Sequence, residues 1–234
     1  MSRPPPLEAP ARVLAVAAHP DDADFYAGAT LARLRAHGAE VTIAICTDGA
    51  RGGAGTDLPL RRRGEAAAAA EALGGVGLAF LGFRDGELAA DEALRRCLAR
   101  EIRTRRPELV LVHDPETFWL NVGAVDRLGH SDHRAAGAGC LDAVYPRAGL
   151  PSFYPDQIAA GLGPWFVREI WLFDTARPDH FSPLEGFAEA KREALRRHAS
   201  QNPEMLLRDA DEQAAHWAAQ AGAPAEAFRR VRVW

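Results

Sequence analysis

The chain alternates short, unbroken apolar runs with longer stretches whose apolar residues recur every three or four positions. The runs are residues 13–18, 40–46 (EVTIAIC), 77–83 (GLAFLGF), 108–113 (ELVLVH) and 167–173 (VREIWLF). Apolar runs of this length, with no polar alternation, predict strands buried on both faces of a parallel sheet. Between them, residues 27–37 repeat apolar Ala27, Leu31 and Leu34 and stop at Gly38. Residues 60–73 are Ala-rich and end at Gly74-Gly75, and a helix capped by Asp91 runs to Arg105 before Pro107. Strand, helix and strand within about forty residues form a βαβ unit, whose crossover is right-handed. Further helices are expected from Asp132 onward, over 191–201 and over 209–221. Residues 116–128 read as irregular, and 146–163 as an ordered excursion rich in Pro, Gly and aromatics. The alternation at 228–234 predicts an edge strand.

This order predicts an α/β fold, a Rossmann-like three-layer sandwich around a mostly parallel central sheet. Its active site belongs at the C-terminal strand edge, where open α/β sheets bind ligands. The first run ends there in His19-Pro20-Asp21-Asp22. Pro20 cannot donate a ladder hydrogen bond and biases His19 toward an extended backbone. A His beside two carboxylates is costly to bury unless paired or bound to a cation, and imidazole with carboxylate is ligand chemistry for zinc and similar metals. Turn chemistry, with Asp22 capping the next helix, is the plainer account. A second cluster, Gly129-His130-Ser131-Asp132-His133, more than a hundred residues later, favours a site built from both. His130 and His133, three residues apart at a helix start, could face one pocket.

Other features weigh less. The loop 47–55 (TDGARGGAG) matches neither a P-loop nor the dinucleotide fingerprint, and reads as a mobile pocket wall. Arg62 and Glu65 have the spacing of a surface pair one helical turn apart. Asp85 follows the third strand run. With 234 residues and 47% hydrophobic content, one domain over 1–234 is the simplest count, residues 1–10 being a flexible Pro-rich lead. A net charge of −4 without a basic tract argues against nucleic acid as a partner. No apolar stretch is long enough to span a bilayer and no signal-peptide core is evident, so a cytoplasmic protein is expected. The three cysteines, Cys46, Cys97 and Cys140, fit no zinc knuckle and read as buried free thiols. The pattern leaves homo-oligomerisation open.

AHPDD (18–22) with GAT (28–30), TDGARGG (47–53), Arg62 and Glu65 before LG (73–74), FLGFRDGEL (80–88) and RPELVLVHDPE (106–116) occur in order. GHSDHRAAG (129–137), KREALRRHASQ (191–201) and AEAFRRV (225–231) follow. In these motifs the chain resembles, over almost its whole length, the PIG-L/LmbE family of zinc-dependent N-acetylglucosamine deacetylases. The resemblance implies Zn2+ held by His19, Asp22 and His133, a set that Fe2+ or Co2+ could also occupy. It implies Asp21 as general base on metal-activated water, and His130 as oxyanion stabiliser and acid, oriented by Asp132. Arg62 and Asp85 would hold hydroxyls of a small-molecule amino-sugar substrate or nearby polar groups. Ala23-Asp24, Ala50 and Leu128 depart from residues common among relatives, which leaves the particular substrate open. Three other readings stand beside this one: an amidase on a non-sugar N-acyl group, a non-catalytic metal-binding module, and a nucleotide-binding enzyme lacking the usual glycines.

Overall fold

A computed structural model describes residues 9–122 and 125–233. Most of the Pro-rich lead, residues 123–124 and the last residue of the terminal stretch therefore lie outside the described residues. The first half repeats strand and helix: β1 (Arg12–Ala17), α1 (Asp22–Ala36), β2 (Glu40–Thr47), α2 (Leu58–Ala72), β3 (Gly77–Phe83), α3 (Glu92–Arg105) and β4 (Leu109–His113). β1 pairs in parallel with β2 on one side and β4 on the other, and β2 pairs in parallel with β3. The chain thus reverses direction across the sheet between β1 and β4, which opens a crevice at their C-terminal ends.

Successive residues of β1 point to opposite faces, and both faces are covered. Val13, Ala15 and Ala17 join a core with Ala27 and Leu31 of α1, Ala66 and Ala69 of α2 and Ala194. Leu14 and Val16 join a second core with Leu94 and Leu98 of α3 and with Ala136 and Cys140. This is the three-layer arrangement expected from runs without polar alternation.

The region expected to be irregular forms a hairpin, β5 (Trp119–Val122) with β6 (Val125–Leu128), antiparallel and apart from the main sheet. Its strands are short, and exposed Trp119 and Leu128 pair on it, so period-two alternation is too brief to read. α4 (Ser131–Asp142) follows, then a kinked turn (Ala143–Ala148) and α5 (Pro155–Ala159) within the aromatic excursion. β7 (Glu169–Phe173) adds to β4 in parallel. Then come β8 (His180–Pro183), α6 (Ala188–Arg197), a 3-10 turn (Ala199–Gln201), α7 (Pro203–Ala221) and β9 (Ala225–Arg232).

The seven-stranded order is β3-β2-β1-β4-β7-β9-β8. β9 is therefore not the expected edge strand: β8, too short and polar to stand out in sequence, covers it, and β9 runs antiparallel to both neighbours. Cys46 and Cys140 are buried as expected, whereas Cys97 is half-buried on α3. Among the described residues no helix is long and apolar enough to cross a membrane.

Candidate metal and active site

α1 begins at Asp22, five residues earlier than the periodicity suggests, so the PDD turn is itself the helix start. Asp21 holds the N-cap position without a side-chain cap bond, and Asp22 Oδ2 instead accepts the His19 amide at 2.7 Å. The capping account of these acids therefore fails. α4 begins at the second cluster, with His130 as its N-cap. Gly137 lets that helix lie on the end of β4, because a Cβ there would fall 2.4 Å from the His113 carbonyl oxygen. The close approach stacks His133 on His113 with ring centroids 4.0 Å apart.

His19 and Asp22, three residues apart, meet His133, more than a hundred residues later, through one carboxylate. Asp22 Oδ2 is 3.3 Å from His19 Nδ1, and its Oδ1 is 3.2 Å from His133 Nε2. Each imidazole has a second acid on its outer nitrogen. His133 Nδ1 is 3.0 Å from Asp174 Oδ2; His19 Nε2 is 3.2 Å from Asp85 Oδ1 and 3.5 Å from Asp132 Oδ2. Metal-binding histidines characteristically have the nitrogen away from the metal held by a carboxylate, which fixes tautomer and ring orientation. Three overlapping groups here could hold a metal: His19/His130/His133, Asp22/His113/His133 and His19/Asp85/Asp132. None of these groups holds all of His19, Asp22 and His133, but the His/Asp cluster they make up fits a divalent cation.

Electrostatics point the same way. Burial alone would lower the His19 pKa, but Asp22, with hydrogen bonds to Asp132, Asp22 and Asp85, pushes it up to about 12. His133 is likewise opposed by burial and pushed up to about 9 by Asp22 and Asp174. Burial would raise Asp22, yet His133, His19 and His113 hold it well below the usual carboxylate range. The acids draw protons onto their imidazoles, and a metal ion would displace those protons on binding.

The remaining expected residues surround this centre. Asp21 stands beside the cluster, its Oδ1 accepting from Arg62 Nη2 at 2.7 Å. Arg62 is almost wholly buried and also donates to the Gly49 carbonyl, so in this structure it holds Asp21 and the 47–55 loop. Asp85 accepts the Arg51 amide at 2.8 Å and braces His19. Both residues line the cleft, but their hydrogen bonds go to protein groups. Asp132 does not brace His130: α4 turns its carboxylate toward His19 and the Gly86 amide, 2.7 Å away. His130 Nδ1 accepts the Asp132 amide at 3.1 Å, which leaves the ring proton on Nε2. Burial, with His19 and His133 nearby, pushes the His130 pKa down, so the resting ring is a neutral donor rather than an imidazolium.

The loop 47–55 does form a wall, pinned where Asp48 Oδ1 accepts the amides of Ala50 and Asp85. Arg62 and Glu65 are no surface pair. Glu65 is buried and turns to Ser200, accepting its amide and hydroxyl at 2.9 and 2.7 Å. Sequence reading missed two residues of the centre. His113, fully buried, has Nε2 3.2 Å from Asp22 Oδ2. Its signal was available, since a His at the end of a strand run with an Asp and a Pro directly after it resembles His19-Pro20-Asp21 with the last two in reverse order. Asp174 follows β7 with a left-handed φ of 53°, a conformation Asp tolerates better than most residues. No local motif marks it. The cleft of about 310 Å³ beside His19, Asp22, His130 and His133 is lined also by Arg51, Gly52 and Gln201.

The family model described as GlcNAc-PI de-N-acetylase, PIG-L, matches residues 14–144. The chain is 36% identical over 198 residues to diacetylchitobiose deacetylase of Thermococcus kodakarensis, covering 82% of this chain and 71% of that protein. It is 30% identical over 192 residues to 1D-myo-inositol 2-acetamido-2-deoxy-alpha-D-glucopyranoside deacetylase 2 of Saccharopolyspora erythraea, covering 69% of this chain and 65% of that protein. Among solved structures, N,N'-diacetylchitobiose deacetylase from Pyrococcus horikoshii superposes with a TM-score of 0.84 at 28% identity, over 95% of this chain and 84% of that one. The family match, from within β1 to just past α4, includes both His/Asp clusters. This chain belongs to the PIG-L family.

Proposed function

We propose that this protein is a metal-dependent hydrolase that removes the acetyl group from an N-acetylglucosamine-type amino sugar or its conjugate. One observation carries the reading. A carboxylate shared by two imidazoles, Asp22 with His19 and His133, opens onto a cleft in which a further carboxylate, Asp21, is held beside it by Arg62. A purely structural metal centre needs neither an open cleft nor an adjacent base. The family membership and the deacetylase relatives support the same chemistry.

An amide is a weak electrophile with a poor leaving group. His19, Asp22 and His133 would hold Zn2+, and Fe2+ or Co2+ suit the same donors. Bound there, the ion supplies Lewis acidity toward the amide carbonyl and lowers the pKa of water from about 15.7 toward 7. Asp21 takes the proton of the attacking water. Paired with Arg62, it keeps its position while Asp22 is committed to the imidazoles. His130, its tautomer set by the Asp132 amide, offers Nε2–H to the oxygen on which negative charge develops. The proton that Asp21 collects from water is returned by Asp21 to the departing amine, while His130 Nε2–H keeps its bond to the developing oxyanion. Asp85, Asp132 and Asp174 keep the imidazoles aimed.

Amine release from N-acetylglucosamine, N,N'-diacetylchitobiose and N-acetylglucosaminyl inositol, measured on chelated protein and again after zinc is restored, tests the reading. Turnover of at least one sugar that vanishes with chelation and returns with zinc is expected. Hydrolysis confined to N-acyl amines without a sugar would replace the substrate class, and no hydrolysis with metal bound would overturn the enzyme.

A further inference from the structure

The segment after α6 is anchored at two points and delivers one side chain to the cleft. His198, fully buried, has Nε2 2.6 Å from Asp24 Oδ2 in the first turn of α1. Ser200 gives its amide and its hydroxyl to the two oxygens of Glu65 on α2. Gln201, the next residue, reaches the cleft wall beside Arg62 and Gly52. Gly52 permits this approach, because a Cβ there would fall 2.7 Å from Gln201 Oε1 and 2.5 Å from Arg62 Nη1. Asp21, Arg62 and Gln201 therefore form one continuous polar wall.

The groups in that wall differ in what they can still do. Arg62 gives Nη1 to the Gly49 carbonyl and Nη2 to Asp21. Gln201 gives one N–H of Nε2 to Ser200 Oγ at 2.9 Å, and that hydroxyl in turn donates to Glu65. The chain of donors runs one way, from Gln201 through Ser200 to Glu65. It fixes which end of the amide is nitrogen and leaves Oε1 and the second N–H for a ligand. One donor beside one acceptor, without charge, matches a hydroxyl, which has both. An apolar group there would leave the amide unpaired, and an anion would meet its acceptor oxygen.

We infer that Gln201 is a specificity-determining residue that exchanges hydrogen bonds with a substrate hydroxyl next to Asp21, and that Glu65, acting through Ser200, positions it. The inference rests on the deacetylase reading. Its test is steady-state kinetics of wild type, Gln201→Leu and Ser200→Ala on whichever panel sugar the wild type hydrolyses fastest, with zinc content and melting temperature measured alongside. Gln201→Leu is expected to raise KM about three- to tenfold, the range for a lost neutral hydrogen bond, with kcat within about twofold. Zinc content should not change. Ser200→Ala, which keeps the backbone bond to Glu65, should raise KM in the same direction by less. An unchanged KM in Gln201→Leu, or a fall in kcat alone, overturns the inference while leaving the deacetylase intact. Failure of the wild type on every sugar identifies the other failure, and removes both readings.

Discussion

Two buried charge clusters share helix α1, and they close in opposite ways. Around Glu226, every charge has its partner in the chain. The carboxylate accepts the amides of Ala29 and Thr30, the Thr30 hydroxyl and Lys191 Nζ, at 2.5 to 2.9 Å. Around Asp22, four aspartates (Asp22, Asp85, Asp132 and Asp174) face three imidazoles, whose charge must come from solution. The first cluster ties α1, α6 and β9 together. The second is complete only with protons or a metal ion, and it is the one that opens onto the cleft. Burying charge is costly in both places. The difference teaches where to look for chemistry: at the cluster whose balance the chain does not itself provide.

Removing an acid should therefore have different consequences in each cluster. At the open one, Asp21→Ala is expected to lower kcat by about 100- to 10,000-fold, the usual reach of general-base catalysis, while zinc content stays at the wild-type level. Near-normal turnover would remove Asp21 from its role. At the closed one, Glu226→Ala leaves Lys191 buried without its partner and should cost about 3–5 kcal/mol in urea unfolding, with zinc affinity unaffected. A loss below about 1 kcal/mol would mean that the pair is not structural.

Asp174→Asn sharpens the contrast, because it keeps a polar side chain against His133 and removes only the charge. Zinc affinity should fall about 10- to 100-fold in a chelator competition, as for outer-shell carboxylates elsewhere. An unchanged affinity would show that orientation alone suffices.

The smallest effect concerns Asp24 and His198, a pair between the two clusters. Burial works against the His198 imidazolium, but the bond and charge of Asp24, with Asp21 against Arg62, raise its pKa overall. Burial likewise raises Asp24, His198 and Lys191 opposing it and Asp21 adding to it. Both groups thus hold protons more tightly folded than unfolded. The His198 contribution to stability is whole below the unfolded histidine pKa of 6.5 and is lost as pH rises through its folded value, whereas that of Asp24 is whole only below 3.8 and is lost as pH rises over a lower range. Urea midpoints should fall between pH 6 and pH 8.5, and His198→Gln should flatten that slope. A midpoint that rises over the same interval would contradict the pairing.

How much of this was legible follows from what each signal requires. The runs at 13–18, 40–46 and 108–113 are local and uninterrupted, and each became a buried strand. The hairpin at 119–128 and strand β8 were not legible, since four residues carry too little periodicity and their pairing is set by distant or exposed partners. His19, Asp21, Asp22, His130 and His133 could be singled out because they are adjacent in two short clusters. His113 has a similar strand-end pattern, with Asp and Pro in reverse order, and went unread for want of a second acid beside it. Asp174 carries no local mark, Glu65 has the spacing of a surface pair yet is buried against Ser200, and Asp132 faces His19 rather than His130.

The sequence alone determined the parallel α/β plan and the residues with metal-binding chemistry, because apolar periodicity and neighbouring ligand types are properties of a few consecutive positions. Only the tertiary structure decided which carboxylate braces which imidazole. It turned Asp132 to His19, set Asp174 on His133 and brought Glu65 to Ser200, 135 residues away. Those pairings depend on helix rotation, strand register and close backbone contacts such as Gly137 against β4, which are fixed by packing across the whole molecule.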